Sequence, residues 1–162
     1  MLVLGVDPGT ATTGYGLVRE TSQGDLDLVE YGVISTPAGM DQEKRLLLLF
    51  TRLNELILLH HPDAGAVEKL FFRRNVSTAI SVGQARGVIL LALAQAGVSA
   101  AEYTPMEVKQ AVSGYGGADK KQVQVMVQAI LKMDHLPKPD DAADAIAIAI
   151  THLHSYKWNQ NL

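Results

Sequence analysis

Three strand-like segments crowd into the first 35 residues, and the links between them are too short to cross over a sheet. Leu2 to Val6 is a short apolar run closed by Asp7-Pro8-Gly9, the pattern of a buried strand followed by a turn. Gly14 to Arg19 and Leu26 to Ser35 read as two further strands. Parallel neighbours need a crossover of about a dozen residues or more, so these three are expected to form an antiparallel meander. In the third, Leu26 and Leu28 alternate in one phase and Tyr31 and Val33 in the other, which predicts a bulge near Val29-Glu30.

From Asp41 the period changes. Leu46, Leu49, Phe50, Leu53, Leu56 and Ile57 recur at three and four, an amphipathic helix with Asp41 as candidate cap and His60-His61-Pro62 as its end. Ala64 to Glu68 is small and apolar enough for a central strand. Ser77 to Ala96 reads as a second helix, capped by Asn75 or Ser77 and stopped by Gly97. Val98 to Tyr103 is a fifth strand, and Pro105 starts a short helix through Val112. The SGYGG loop, a helix from Asp119 to Lys132, and a last helix from Asp140 to about Ser155 complete the chain. A meander followed by alternation predicts an α/β fold: a mixed five-stranded sheet, three antiparallel strands then parallel additions, with helices on both faces.

The 162 residues are 48% hydrophobic and 19% charged, enough for one domain with a real core, taken as residues 1–162. The chain has no Cys, which excludes disulfide frameworks, thiolate zinc sites and a Cys nucleophile, and fits a reducing compartment. The N-terminus reaches Asp7 and Pro8 too soon for a secretory signal. The most apolar stretch, Gly87 to Ala101, is interrupted by Gln95 and Gly97 and is too short to span a bilayer. A cytoplasmic protein without a membrane partner is expected. Net charge is −3, mildly unfavourable for a protein that grips phosphates. Leaving out four acids that could bind cations turns 14 − 17 into 14 − 13, or +1.

Those acids sit at telling places. Asp7 ends the first strand, just before Gly9, which would let a ligand approach the backbone. Glu68 ends the fourth. An acid closing a buried strand is expensive unless it is paired or coordinates a metal; the alternative reading is a strand-end acid that faces solvent. The last helix, DDAADAIAIAITH, is apolar almost all round, and Asp141 and Asp144 share a face at a spacing of three. Asp140 reads as ordinary compensation of the helix dipole. Asp144 lies past the cap, among alanines and isoleucines. Four such carboxylates would repel one another if bare. A hard divalent cation with oxygen ligands, Mg²⁺ above all, makes the cluster tolerable, and two ions about 4 Å apart can drive phosphodiester chemistry.

The segments GVDPGTATTGYGLV, AVEKLFFRRN, SVGQARGV, the stretch from Val108 through Gln124, and DDAADAIAIAITH closely resemble the RuvC family of Holliday-junction resolvases, in the family's order and over most of the chain. The resemblance implies a ribonuclease H-like fold and a homodimer that places symmetric nicks across a four-way DNA junction, leaving 5′-phosphate and 3′-hydroxyl ends, in recombination and repair. It places the metal-binding, catalytic acids on Asp7, Glu68, Asp141 and Asp144, with Asp7 bridging two Mg²⁺ ions and Mn²⁺ as a possible substitute. Lys109 and Lys120 align with family lysines near the scissile phosphate. Phe71 aligns with the aromatic that wedges bases at the crossover, and Lys69, Arg73, Arg74 and Lys121 join the DNA-binding set; Phe72 is assigned to the core.

The resemblance also implies that the small-residue stretch Ser81, Gly83, Ala85 and Gly87 contributes to the dimer contact, and that the RuvA–RuvB branch-migration complex is a partner. His60, His61, His135, His152 and His154 show no metal-ligand spacing. The chain ends at Trp158-Asn159-Gln160-Asn161-Leu162 without the longer basic tail of some relatives, and its overall acidity predicts binding that weakens quickly as salt rises. Two other readings stay in view. Asp7-Pro8-Gly9-Thr10 before a hairpin also resembles the first phosphate loop of actin-like ATPases and sugar kinases, which duplicate the core across two lobes. A non-catalytic junction-binding module is the other, although all four acids and both lysines are present.

Overall fold

A computed structural model of the chain describes residues 1–70 and 76–160, with the side chains of the last helix as far as Tyr156. The meander forms as expected: β1 (Leu2–Asp7), β2 (Thr12–Glu20) and β3 (Leu26–Ser35) are antiparallel neighbours. The bulge falls at Val29, where pairing steps from Leu17–Glu30 to Val18–Leu28. Then come α1 (Gln42–His60), β4 (Ala64–Glu68), α2 (Val76–Gln95) and β5 (Ser99–Tyr103). Three helices close the chain: α3 (Pro105–Ser113), α4 (Lys120–Ile130) and α5 (Asp140–Gln160). β4 adds parallel to β1 and β5 parallel to β4, giving the order β3-β2-β1-β4-β5.

Side chains alternate across a strand, so each strand feeds two cores. On one face Leu4, Val6, Leu17 and Val67 pack with Leu49, Leu53 and Ile57 of α1 and with Ala85, Ile89 and Leu93 of α2. On the other, Val3, Val18 and Ala66 pack with Ile146, Ile148 and Ile150 of α5, and α3 and α4 extend the same core through Val108, Val112, Val123 and Val127. Every residue of α5 from Ala145 to Thr151 is buried. An apolar helix covered on most sides follows directly from that sequence.

Several local expectations are corrected. Asp41 stands at the N-cap of α1, yet its carboxylate makes no cap hydrogen bond and reaches Lys44 Nζ at 2.7 Å instead. Ser77 lies inside α2 rather than capping it, and Asn75 falls outside the described residues. Gly9 serves its own turn: an added Cβ would collide with the Thr12 carbonyl. The apolar stretch is also longer as a helix than as an uninterrupted run. α2 has 20 residues and is long and apolar enough, by length and composition, to cross a membrane, while Ala85, Ile89, Ala92 and Leu93 pack against the sheet.

Candidate active site

Alternation decides where the acids point. Val6 and Val67 face α1 and α2, so Asp7 and Glu68, one residue further on, face α5. Val6 pairs with Val67 across the parallel β1–β4 ladder, which leaves Asp7 and Glu68 side by side at adjoining strand ends. Their side chains share a hydrogen bond. Asp7 also pairs in register with Gly14 of β2.

Glycine is what lets the helix carboxylates reach them. A Cβ at Gly14 would collide with the Asp141 carbonyl oxygen, one at Gly16 with Ile146, and one at Gly5 with the backbone of Ala145 and Ala149. Three glycines on β1 and β2 thus form a floor on which the backbone of α5 rests, its alanines facing down. Close approach of this kind is available only without a side chain. The start of α5 therefore stands directly over Asp7. Asp7, Asp141 and Asp144 each bring a carboxylate oxygen within 4.8 Å of the others. The turn after Asp7 is pinned as well: Thr13 Oγ1 donates to the Gly9 carbonyl at 2.5 Å, and Thr36 Oγ1 to the Thr10 carbonyl at 2.7 Å. Both threonines are buried.

Electrostatics record the strain of this assembly. Burial, then the charges of Glu68, Asp144 and Asp141, push the Asp7 carboxyl up to about 8. Burial raises Glu68 too, and the hydrogen bond from Asp7 offsets part of that rise. Asp144 is raised by burial, with Lys120 pulling the other way. Asp7 therefore holds its proton at neutral pH unless positive charge arrives. An all-oxygen donor set at these separations fits a hard divalent cation.

The cation side is supplied by α3 and α4. Glu68, Asp144, Lys109 and Lys120 line one cleft of about 250 Å³, floored by Val108, Val123, Ala147 and Ile148. Lys120 Nζ lies 3.2 Å from Asp144 Oδ2 and 3.6 Å from Asp140 Oδ2. Burial lowers the Lys120 ammonium, but Asp144, Asp140 and Asp141 more than reverse this and leave it raised. Both helices are held by capping boxes, Thr104 with Glu107 and Asp119 with Gln122. Asp119 therefore sets the first turn that carries Lys120.

Asp140 stands in the first turn of α5, as expected of a helix-dipole acid, outside the acid cluster. Its carboxylate accepts from Gln124 Nε2 at 3.0 Å and pairs with Lys138 as well as Lys120. The Gln124 hydrogen bond, helped by Lys120, holds it below the usual carboxylate range.

The remaining expected DNA contacts divide. Lys69 is exposed at the end of β4, its amide donating to the Tyr103 carbonyl at 2.7 Å. Lys121 is exposed but lines a separate groove with Tyr115, Val125 and Met126. Phe71, Phe72, Arg73 and Arg74 lie outside the described residues. The histidines are engaged structurally: His60 with Glu30, His152 with the Tyr103 hydroxyl, and His154 with the Ala111 carbonyl. Sequence reading missed Thr13, Thr36 and Gln124, buried polar residues whose partners emerge only on folding, and the glycine floor, for which the pattern GYG set against an Ala-rich helix was the available signal.

A ribonuclease H-like sheet that gathers carboxylates from two strand ends and one helix, with lysines across the cleft, defines a nuclease of that class. The comparisons agree. The family model described as "Crossover junction endodeoxyribonuclease RuvC" matches residues 3–152. A crossover junction endodeoxyribonuclease RuvC from Syntrophomonas wolfei is 57% identical over 162 residues, covering 100% of this chain and 94% of that protein. The Thermus thermophilus RuvC structure superposes with a TM-score of 0.92 at 37% identity, covering 98% of this chain and 97% of that one. A T. thermophilus RuvC in complex with a Holliday junction substrate gives 0.89 at 35% identity, covering 98% and 96%. The chain belongs to the RuvC family of crossover junction endodeoxyribonucleases. It is an endonuclease of DNA recombination and repair.

Proposed function

We propose that this chain, as one ribonuclease H-like domain in a cytoplasmic homodimer, resolves Holliday junctions by two symmetric cuts that leave 5′-phosphate and 3′-hydroxyl ends. The observation that carries the reading is the convergence of Asp7, Asp141 and Asp144 within 4.8 Å, beside Glu68 and in the same cleft as Lys109 and Lys120. The junction complex of the T. thermophilus relative supports the substrate.

Asp7, Glu68, Asp141 and Asp144 hold two divalent cations, Mg²⁺ by the hardness of the donors and Mn²⁺ as a substitute. When bound, these supply an activated water and offset charge on the phosphate being cut. Burial around Asp7 excludes bulk water and strengthens every charge interaction inside. Lys109 and Lys120 place positive charge where the pentavalent phosphorus gathers negative charge. Lys69, Phe71, Arg73, Arg74 and Lys121 contact the DNA beyond the scissile phosphate.

The surface of α1 and α2 supports the dimer. Leu47 and Leu58 on α1 and Val76, Ile80 and Leu91 on α2 are large apolar side chains left exposed. A Cβ at Gly87 would meet nothing within 4 Å, so that glycine leaves room for a second chain. Two-fold symmetry matches two equivalent sites to two equivalent strands. The RuvA–RuvB complex is the expected branch-migration partner.

The test is cleavage of a synthetic four-way junction beside linear duplex, with Mg²⁺, with Mn²⁺ and with chelator. Paired symmetric nicks on the junction, requiring the cation, are expected. Equal cutting of duplex, or cutting in chelator, contradicts the assignment.

A further inference from the structure

Asp140 sits one residue before the acid cluster and faces a different set of partners. Its Oδ1 accepts from Gln124 Nε2 at 3.0 Å and lies 3.5 Å from Lys138 Nζ, while its Oδ2 lies 3.6 Å from Lys120 Nζ. Gln124 is only 5% exposed. It follows Lys120 by four residues on α4, so both side chains reach Asp140 from one face of that helix. A buried amide must find partners, and here one of its N–H groups is committed to Asp140.

Lys120 has two carboxylates to choose from. The nearer, Asp144 at 3.2 Å, belongs to the cluster that fits a cation; Asp140 does not. An oxygen that coordinates a dication is a poor partner for an ammonium. A long side chain at 53% exposure, released from Asp144, would sample many rotamers unless another group held it.

We propose that Asp140, braced by Gln124, is a positioning residue that holds the Lys120 ammonium at the mouth of the acid cleft, so that Lys120 keeps its place when Asp144 serves a cation. This rests on the role given to Lys120 above. The carboxylate acts through Lys120 and touches neither the scissile phosphate nor the cluster's cations.

A double-mutant cycle tests it. Single-turnover junction cleavage and junction affinity are measured for the wild type, Lys120→Ala, Asp140→Ala and the double variant. Asp140→Ala should slow cleavage by about 10-fold with affinity changed less than about 2-fold, and should slow the Lys120→Ala protein by less than about 2-fold. Asp140→Asn keeps an acceptor for Gln124 but loses the charge, and should fall between. Equal slowing in both backgrounds would mean that Asp140 merely supports α5, and overturns the proposal. Wild-type cleavage by Lys120→Ala would instead remove Lys120 from the reaction, and the proposal with it. A readout independent of cleavage comes from the ¹⁵Nζ resonance of Lys120 in metal-free protein. Asp140→Ala and Asp140→Asn should both move it, and an unmoved resonance in the folded variants also overturns the proposal.

Discussion

The two faces of the sheet are built on opposite plans. Toward α1 and α2 the strands present Leu4, Val6, Leu17 and Val67, and the helices answer with leucines and isoleucines that interdigitate. Toward α5 the strands also present Gly5, Gly14 and Gly16 beside Val3 and Val18, and the helix meets those glycines with the backbone of Asp141, Ala145 and Ala149 and with Ile146. Large side chains can repack around a small change, whereas backbone resting on backbone cannot yield. The face that carries the carboxylates is therefore the one where, beside the Val3, Val18 and Ala66 packing, three glycines bring strand backbone up to α5.

The sharpest contrast is chemical. Asp7→Asn keeps the shape of the α5 face but removes the charge on which the site turns. Cleavage should fall by about 10³-fold or more while junction binding persists; undiminished cleavage would detach Asp7 from the reaction. Next comes geometry. Gly14→Ala should push the start of α5 off the sheet and lower cleavage by about 100-fold, the order expected for a displacement near 1 Å. Leu53→Ala on the opposite face should reduce stability by roughly 2–5 kcal/mol and leave the turnover of folded enzyme near that of the wild type. If the two variants lose stability and turnover in the same proportion, the distinction between the faces fails.

The last contrast is a pH dependence. Asp7 titrates at about 8 in the fold against an ordinary 3.8, so between those values the folded chain holds a proton that the unfolded chain has released. Stability of the metal-free protein should therefore fall as pH rises through that window, by up to about 1.4 kcal/mol per pH unit from this group. Glu68 and Asp144, also raised, act in the same direction. Tyr15, on the α1 side, is raised to about 12 by burial and by Glu30, too high to contribute there. Thermal unfolding in chelator at pH 5 and 8 should show the fall, and Asp7→Asn should flatten it. A flat wild-type profile would mean that the acids are not crowded.

Much of this was legible in the residues. The short early loops dictated the meander, and the phase change in Leu26 to Ser35 located the bulge at Val29. Asp141 and Asp144 could be paired because helical spacing is local. That Asp7 and Glu68 adjoin depended on which strand β4 would choose, a long-range fact that spacing does not encode. Asp140 does stand in the first turn of α5 as a helix-dipole acid, but its partner Gln124 lies on another helix, and nothing nearby in sequence announces it. Ser77 misled in the other direction, fitting a local capping rule that the folded helix did not use.

The central claim is that Asp7, Asp141 and Asp144, with Glu68 beside them, form one cation site. Anomalous diffraction from crystals equilibrated with Mn²⁺ tests it most directly. Mn²⁺ density is expected within about 2.0–2.3 Å of oxygens from at least Asp7 and one of the α5 acids, and is expected to be absent in Asp7→Asn crystals. Mn²⁺ bound elsewhere with the cluster empty, or persisting unchanged in Asp7→Asn, would contradict it.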